Sequence, residues 1–208
     1  FEHAIKKGVN VFMEKSFAVD SPGVRRMLKS VEESEKKNLK VACGFMWRHS
    51  LGRQEAIRQI HDGVIGDVHT LRIYRVHGPV HCPPLPKDTS ELVFQLQRPT
   101  YFNWTSAGFF GDWHCHNVDV ACWVKNAWPV SVQGMGGRCY SDAGNNFDHY
   151  TVEYTFADGG KLFCFSRHMA NCWSTYSDYA HGSKGSALLM AALGQPKCKI
   201  YKSQRMVD

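Results

Sequence analysis

The 208-residue sequence predicts an α/β protein made of a short strand–helix–strand unit followed by a larger α+β unit with a mainly antiparallel sheet. Two apolar runs, "VNVFME" from Val9 and "KVACGF" from Lys40, flank an amphipathic segment at the spacing of a βαβ unit. From residue 129 onward, alternating strand patterns follow one another across short turns, which is typical of antiparallel pairing. This change of pattern predicts two parts, residues 1–46 and residues 47–208.

The first part begins with the last turns of a helix, because "FEHAIKKG" has apolar Phe1 and Ile5 four residues apart and ends in a glycine. Ser21 is the predicted cap of the next helix, with Pro22 at its first position. Asn38 is expected to close this helix, whose apolar positions recur at helical spacing: Val24, Met27, Leu28 and Val31. We expect the two flanking strands to be parallel, with a right-handed crossover.

The second part opens with an amphipathic helix that begins near Leu51 and stops at Gly63. A turn at Gly66 then leads into the strand "VHTLRIYRV". The stretch from Gly78 to Ala107 contains five prolines, so it predicts a long loop without regular structure, near a site or an interface.

A glycine-bounded segment, "GFFGDWHCHNVDVACWVKNA", predicts a helix before the strands of the main sheet. The strands are expected in "PVSVQGMGGR", "DHYTVEYTFADGGKLFCFSRH" and "STYSDYAHGSKGSALLM", with a hairpin turn at Asp158 to Gly160. The "HGSKGS" run at 181–186 lacks the full spacing of a phosphate-binding loop, so it predicts a second hairpin turn.

Composition argues against several classes of protein. No stretch approaches the roughly 18 uncharged apolar residues that cross a bilayer, so we predict a soluble protein with no membrane partner. The formal charge of +6 is spread over separate segments and does not form one stripe, which argues against nucleic-acid binding. Eight cysteines without a CxxC pair, mostly inside apolar runs, favour a reducing compartment and a cytoplasmic location.

One segment carries residues suited to acid–base chemistry. Asp112, His116 and Asp119 lie four and then three residues apart, so they share one face if the segment is helical. An acid four residues before a histidine can orient the imidazole, and a neutral imidazole can accept a proton near pH 7. The same pattern fits a histidine satisfied by a carboxylate at a domain seam. The other alternative is a metal site made of Asp112, His116 and an outside ligand. His114 cannot bind the same ion, because it points about 200° away from His116 around a helix. Of these alternatives, our prediction is a site without a metal.

Charged residues also follow both strands of the first unit. Glu14 and Lys15 come directly after the first apolar strand, and Arg48 lies at the same edge after the second. The carboxyl edge of parallel strands is where open α/β sheets bind ligands, so two cations would flank one crevice there. The alternatives are a solvated charge pair for Glu14 and Lys15 and a surface arginine leaning on Trp47.

Four segments in the same order resemble the glucose-fructose oxidoreductase, inositol dehydrogenase and rhizopine-catabolism (Gfo/Idh/MocA) family of nicotinamide-dependent oxidoreductases. They are "AIKKGVNVFMEKSFA", "VACGFMWRHS", "IRQIHDGVIGDVHTLRI" and "GFFGDWHCHNVDVACWV". The resemblance implies an N-terminal Rossmann domain for NAD or NADP and a C-terminal domain with an open-faced, mainly antiparallel sheet. It also implies a sugar, polyol or glycoside hydroxyl as substrate and homo-oligomers formed through the sheet.

Carried over residue by residue, the resemblance assigns roles to the motif residues. It implies that Lys15 contacts the reacting hydroxyl and the nicotinamide side, that Asp112 helps to hold the sugar, and that His116 takes the hydroxyl proton while hydride leaves for nicotinamide C4. The predicted catalytic residues are therefore Lys15, Asp112 and His116, the predicted cofactor-binding residues are Glu14, Lys15 and Arg48, and the predicted substrate-binding residues are Lys15, Asp112, His116 and Asp119.

The chain departs from the family pattern in two ways. Ser16 stands where the family has proline, and a non-proline residue predicts a trans peptide bond. The chain also has no G-x-G-x-x-G fingerprint for a dinucleotide, so we expect residues 1–46 to be the end of a Rossmann domain. For the same reason we expect the isolated chain to show no hydride transfer. We also expect the second part, residues 47–208, to be incomplete at its C-terminus. The alternatives are a non-enzymatic assembly module and an NAD-assisted elimination or glycoside cleavage.

Overall fold

The computed structural model describes residues 1–190 and 197–205. The helices in these ranges are α1 (Glu2–Lys6), α2 (Ser21–Lys36), α3 (Leu51–His61), α4 (Glu91–Gln97) and α5 (Cys115–Lys125). The strands are β1 (Val11–Met13), β2 (Val41–Cys43), β3 (Val68–His77), β4 (Pro129–Gly137), β5 (His149–Phe156), β6 (Lys161–His168), β7 (Thr175–Gly182), β8 (Ser186–Met190) and β9 (Lys199–Tyr201). None of the helices within these ranges has the length and apolar character to cross a membrane.

The N-terminal unit is a βαβ arrangement, as the sequence predicts. Strands β1 and β2 pair in parallel, with Val11 opposite Val41, and α2 connects them. The capping prediction is wrong by one residue, because the Asp20 carboxylate, one position before Ser21, accepts the backbone N–H of Gly23 at 2.7 Å. Asn38 follows the end of α2 with a positive φ of 52°, in agreement with its predicted role as the stop.

The main sheet has seven strands in the order β4-β5-β6-β3-β7-β8-β9. Only β3 and β6 pair in parallel, and the other neighbours are antiparallel, so the predicted fold class is confirmed. Helices α3 and α5 pack on one face through a single core that includes Ile57, Ile60, Leu71, Ile73, Val120 and Val124. Half-buried aromatic side chains stack with one another on the other face: Tyr74 lies 5.1 Å from Phe165 and 6.2 Å from Tyr179 between ring centroids.

A buried polar network ties α3 and α5 to the sheet. The guanidinium of Arg53 is fully buried, lies 4.1 Å over the Trp47 ring and approaches the Asp178 carboxylate at 3.6 Å. Asn117 of α5 donates a hydrogen bond to Asp178 at 2.5 Å. Burial raises the pKa of Asp178 to about 6, against the lowering effects of Asn117 and of Arg53.

The proline-rich stretch is more regular than its composition predicts. It contains α4, whose first turn is capped by the Ser90 hydroxyl, and Phe94 of this helix packs in a small core with Cys82 and Phe102. The prolines lie at the two ends of the stretch, which leaves residues 91–97 free to form a helix after a good cap. The prediction of a loop throughout residues 78–107 is therefore wrong.

Both predicted hairpin turns are present. The first joins β5 to β6 with Gly159 at a φ of 84°, and the second joins β7 to β8 across residues 183–185. The predicted helix at 108–127 differs in its first turn, because Phe110–His114 is a π-helical turn and the α-helix begins only at Cys115. Insertions of this kind are frequent at functional sites, and this one holds Asp112.

Candidate active site

The carboxyl edge of β1 and β2 presents the first predicted group of residues. Glu14 directly follows β1, and its carboxylate lies against Gly44, where a side chain would collide with it. The peptide bond between Lys15 and Ser16 is cis, which corrects the trans bond predicted for a non-proline residue. The Ser16 hydroxyl donates to the backbone carbonyl of Gly111 at 3.3 Å, so the strand end touches the π-helical turn.

Lys15, which follows β1, contacts Asp112 of the π-helical turn. Its Nζ donates to the Asp112 backbone carbonyl at 2.7 Å and lies 3.6 Å from the Asp112 carboxylate. The Thr100 hydroxyl donates to the other carboxylate oxygen at 2.5 Å. Because both oxygens face these partners and no described hydrogen bond joins Asp112 to His116, the prediction that Asp112 orients the imidazole is wrong.

His116 lies one helical turn beyond Asp112 and is only 7% exposed. Its ring meets the Phe45 ring edge-on at 5.8 Å, and its buried Nδ1 has no hydrogen-bond partner among the described residues. Burial lowers the pKa of His116 below 6.5, and the positive charges of Lys15 and Arg75 lower it further, against weaker raising effects of nearby acids. The imidazole is therefore neutral at pH 7 and can accept a proton.

Arg48 and Asp119 are partners of each other. Both Asp119 carboxylate oxygens accept from the Arg48 guanidinium at 2.8 Å, and Arg48 also lies 4.8 Å over the Trp123 ring. This bidentate pair joins the edge after β2 to α5, on the side of the helix that also carries His116. Arg48 and Asp119 therefore hold each other in position. The contact of Arg48 with the cofactor and that of Asp119 with the substrate stay predictions.

The structure brings Lys15, Asp112 and His116 to one place and sets Arg48 and Asp119 beside them. It adds two residues that sequence reasoning missed, Thr100 and Arg75. Thr100 carries no pattern that marks it, because its contact with Asp112 depends on the course of a loop. Arg75 could have been found, since it occupies an inward position of β3 in alternation with Leu71 and Ile73.

Arg75 supplies a second cation close to His116. Its guanidinium lies 4.0 Å over the Tyr176 ring, and its buried Nε has no hydrogen-bond partner among the described residues. Burial lowers the pKa of this group, although an arginine stays charged at neutral pH. Lys15 and Arg75 together therefore make the surroundings of His116 electropositive.

An open cavity of about 450 Å³ adjoins the π-helical turn. Its wall includes Val19 from the segment after β1, Phe110 from the turn, and Tyr150 from β5, together with the polar side chains Asn103 and Asn145. Aromatic faces beside amide groups suit a ligand with both apolar and hydroxyl surfaces. The cavity therefore offers space for a small molecule beside the π-helical turn that carries Asp112.

Replacing Lys15 with methionine is expected to raise the pKa of His116. The substitution removes a positive charge that disfavours the imidazolium and leaves the Asp112 carboxylate without its ion-pair partner. An NMR titration of the His116 ring measures the change directly. Lys87→Met, at an exposed position outside the candidate site, is the matched control. An unchanged His116 titration in Lys15→Met would contradict the electrostatic coupling.

Comparison with known proteins places these residues in a family. The family model described as GFO/IDH/MocA C-terminal domain matches residues 54–188. The inositol 2-dehydrogenase of Rhizobium meliloti (strain 1021) is 26% identical over 189 residues, which cover 89% of this chain and 51% of the relative. The chain therefore spans about half the length of this curated relative.

Two solved structures share the fold. The WlbA dehydrogenase from Chromobacterium violaceum, in complex with NADH and UDP-GlcNAcA, has a TM-score of 0.73 at 16% identity over 98% of this chain and 55% of its own. The aldose-aldose oxidoreductase from Caulobacter crescentus, complexed with glycerol, has a TM-score of 0.65 at 23% identity over 98% of this chain and 59% of its own. Together with the family match, which spans most of the main sheet and α5, these findings show that the chain belongs to the GFO/IDH/MocA family of oxidoreductases.

Proposed function

We propose that the protein oxidises a hydroxyl group of a sugar, polyol or glycoside by hydride transfer to NAD or NADP. The observation that carries the proposal is the arrangement of the Lys15 ammonium on Asp112, one helical turn from the buried, neutral imidazole of His116. A hydrogen-bond donor beside a proton acceptor is what oxidation of an alcohol requires.

In this mechanism Lys15 donates a hydrogen bond to the substrate oxygen and holds the hydroxyl toward His116. His116 accepts the hydroxyl proton, the C–O bond becomes a carbonyl, and the hydrogen on the same carbon leaves with its electron pair. Asp112 holds Lys15 in position and offers its carboxylate to a neighbouring hydroxyl of the sugar. The bound nicotinamide supplies the acceptor for the hydride.

The described residues fit the nicotinamide side of such a site. Lys15 and Glu14 lie at the carboxyl edge of two parallel strands, where open α/β sheets bind ligands. The unit around this edge also exposes apolar side chains, among them Phe12 at 70% and Leu28 at 59%, which further strands and helices of a cofactor domain would cover. We therefore propose that residues 1–46 are the end of a Rossmann domain and that 47–208 form the substrate domain.

We further propose that the half-buried aromatic face of the main sheet, with Tyr74, Phe165 and Tyr179, contacts a second copy of the protein.

The eight cysteines are all free, which supports a reducing, cytoplasmic location.

The proposal is tested with the product of the whole gene, assayed with NAD and NADP against a panel of polyols, aldoses, inositols and glycosides. We expect reduced nicotinamide and a keto product, and no reduction of the cofactor by the 208-residue chain alone. Release of an aglycone would indicate NAD-assisted cleavage in place of a dehydrogenase. Failure of the whole product to bind either dinucleotide would favour a non-enzymatic assembly module, and tight dinucleotide binding by the 208-residue chain would contradict the division into two parts.

A further inference from the structure

The connection between β4 and β5 brings together three side chains that can bind a metal ion, and none of them belongs to the candidate active site. Cys139 Sγ lies 3.9 Å from His149 Nδ1, and the same nitrogen lies 2.7 Å from Asp148 Oδ1. The three ligand atoms all fall within 4.8 Å of one another, and they form the one such three-residue group found in residues 1–190 and 197–205. We propose that Cys139, Asp148 and His149 form a zinc-binding site.

The geometry favours an ion over a nucleophilic cysteine. In a cysteine–histidine–acid arrangement for catalysis, the carboxylate holds one nitrogen of the imidazole so that the opposite nitrogen can take the proton of the thiol. Here both groups approach Nδ1, so the carboxylate occupies the nitrogen that would have to take the proton of the thiol. Three ligand atoms of these types within 4.8 Å of one another are close enough to bind one metal ion.

The site is assembled by the backbone around it. Asp148 is 2% exposed, and its Oδ2 accepts the backbone N–H groups of Cys139 at 2.7 Å and of Tyr140 at 2.9 Å. These bonds fix the carboxylate with Oδ1 toward the histidine. Gly137 leaves room for the ring, since a Cβ there would lie 2.7 Å from His149 Nε2. The ligands therefore sit on a connection that is already ordered, which lowers the entropic cost of binding.

The set of donor atoms selects the metal. A thiolate, a carboxylate and a neutral imidazole are a mixed set that suits Zn²⁺, whereas Mg²⁺ and Ca²⁺ prefer oxygen ligands alone. The thiolate and the carboxylate also balance the two charges of the ion. Zn²⁺ bonds of about 2.0 to 2.3 Å place tetrahedral ligands roughly 3.3 to 3.6 Å apart, so ångström-scale shifts of these side chains complete the shell. Three protein ligands leave a fourth position for water or an added ligand.

The test uses the 208-residue chain, freed of metal with a chelator, and Zn²⁺ or its spectroscopic substitute Co²⁺ as the probe. We expect binding of one ion per chain, with a sulfur-to-cobalt charge-transfer absorption. Cys139→Ser should abolish this absorption and weaken Zn²⁺ binding at least about tenfold, since a hydroxyl replaces a thiolate ligand. The variant keeps the backbone N–H that bonds Asp148, so its thermal melting without metal should match that of the parent.

Two further variants make the result specific. His149→Ala should also weaken Zn²⁺ binding, whereas Cys172→Ser, at the other exposed cysteine, should leave both the affinity and the absorption unchanged. The proposal is overturned if the chain binds no Zn²⁺, if Co²⁺ binds without the charge-transfer absorption, or if the absorption survives Cys139→Ser. None of these measurements uses enzymatic activity, so their outcome does not depend on the proposed oxidoreductase function.

Discussion

Replacing His116 with asparagine is expected to lower kcat for hydroxyl oxidation by about 10²- to 10⁴-fold in the whole protein, because the proposed proton acceptor is lost. Asparagine is close to histidine in size and polarity, so the packing against Phe45 should largely remain. The Lys15 donor and the Asp112 carboxylate are unchanged, so the substrate should still bind. The loss should therefore appear in kcat and much less in KM.

The pH dependence of the rate gives an independent check on His116. Only the neutral imidazole accepts a proton, so the rate should rise with pH through the pKa of this residue. Burial, Lys15 and Arg75 all lower that pKa, so the acid limb of the pH–rate profile, where the rate rises with pH, should lie below pH 6.5. The limb should be absent from the residual activity of His116→Asn.

His69→Asn is the matched control for this experiment. His69 lies on β3 with an exposed side chain and takes no part in the candidate site. Its replacement should leave kcat, KM and the acid limb unchanged. A His116→Asn variant as active as His69→Asn would contradict the assignment of His116 as the base, even if the protein proved to be a dehydrogenase.

Replacing Arg53 with alanine is expected to destabilise the fold by about 3–5 kcal/mol, because it removes the ion-pair partner of the buried Asp178 carboxylate. The change also removes the stacking of the guanidinium on Trp47. The measurement is the free energy of unfolding of the 208-residue chain in urea at pH 7. Arg58→Ala is the control, since Arg58 lies on the same helix but is exposed and paired only at the surface.

The size of the Arg53 effect should depend on pH. Burial raises the pKa of Asp178 from its ordinary 3.8 to about 6, so its contribution to stability is full below pH 3.8 and is lost as the pH rises through about 6. At pH 5 the carboxyl is mostly protonated, and the loss of Arg53 then leaves no bare buried charge. The destabilisation by Arg53→Ala should therefore be smaller at pH 5 than at pH 7. Equal effects of Arg53→Ala and Arg58→Ala at pH 7 would show that the buried pair is not stabilising.

Several features of this protein could be read from local sequence patterns. The βαβ unit, the long strand β3 and both hairpin turns follow from apolar periodicity and from glycine positions, and these depend on neighbours a few residues away. The shared face of His116 and Asp119 follows from helical spacing in the same way, since both lie on α5. The prediction that Lys15 and Asp112 belong to one site needed more, namely the resemblance of four motifs in the same order along the chain.

Other features depend on contacts between distant segments. Helix α4 forms within the proline-rich stretch, and Phe94 is buried there against Cys82 and Phe102. The carboxylate of Asp112 bonds Thr100 in place of His116, because a loop brings that hydroxyl within 2.5 Å. Local spacing cannot predict such partners, since each depends on the path of a separate segment.

Sequence patterns and the order of motifs alone predict the family, most of the helices and strands, and the residue types of the proposed hydroxyl-oxidising site. The partners of these residues depend on the folded chain: Arg48 pairs with Asp119, Lys15 pairs with Asp112, and Arg75 lies close to His116. The contact of Cys139 with His149 near the ends of β4 and β5 depends on it too. Periodicity is set by backbone geometry over a few residues, whereas charge pairing and burial are set by segments that approach only when the core forms.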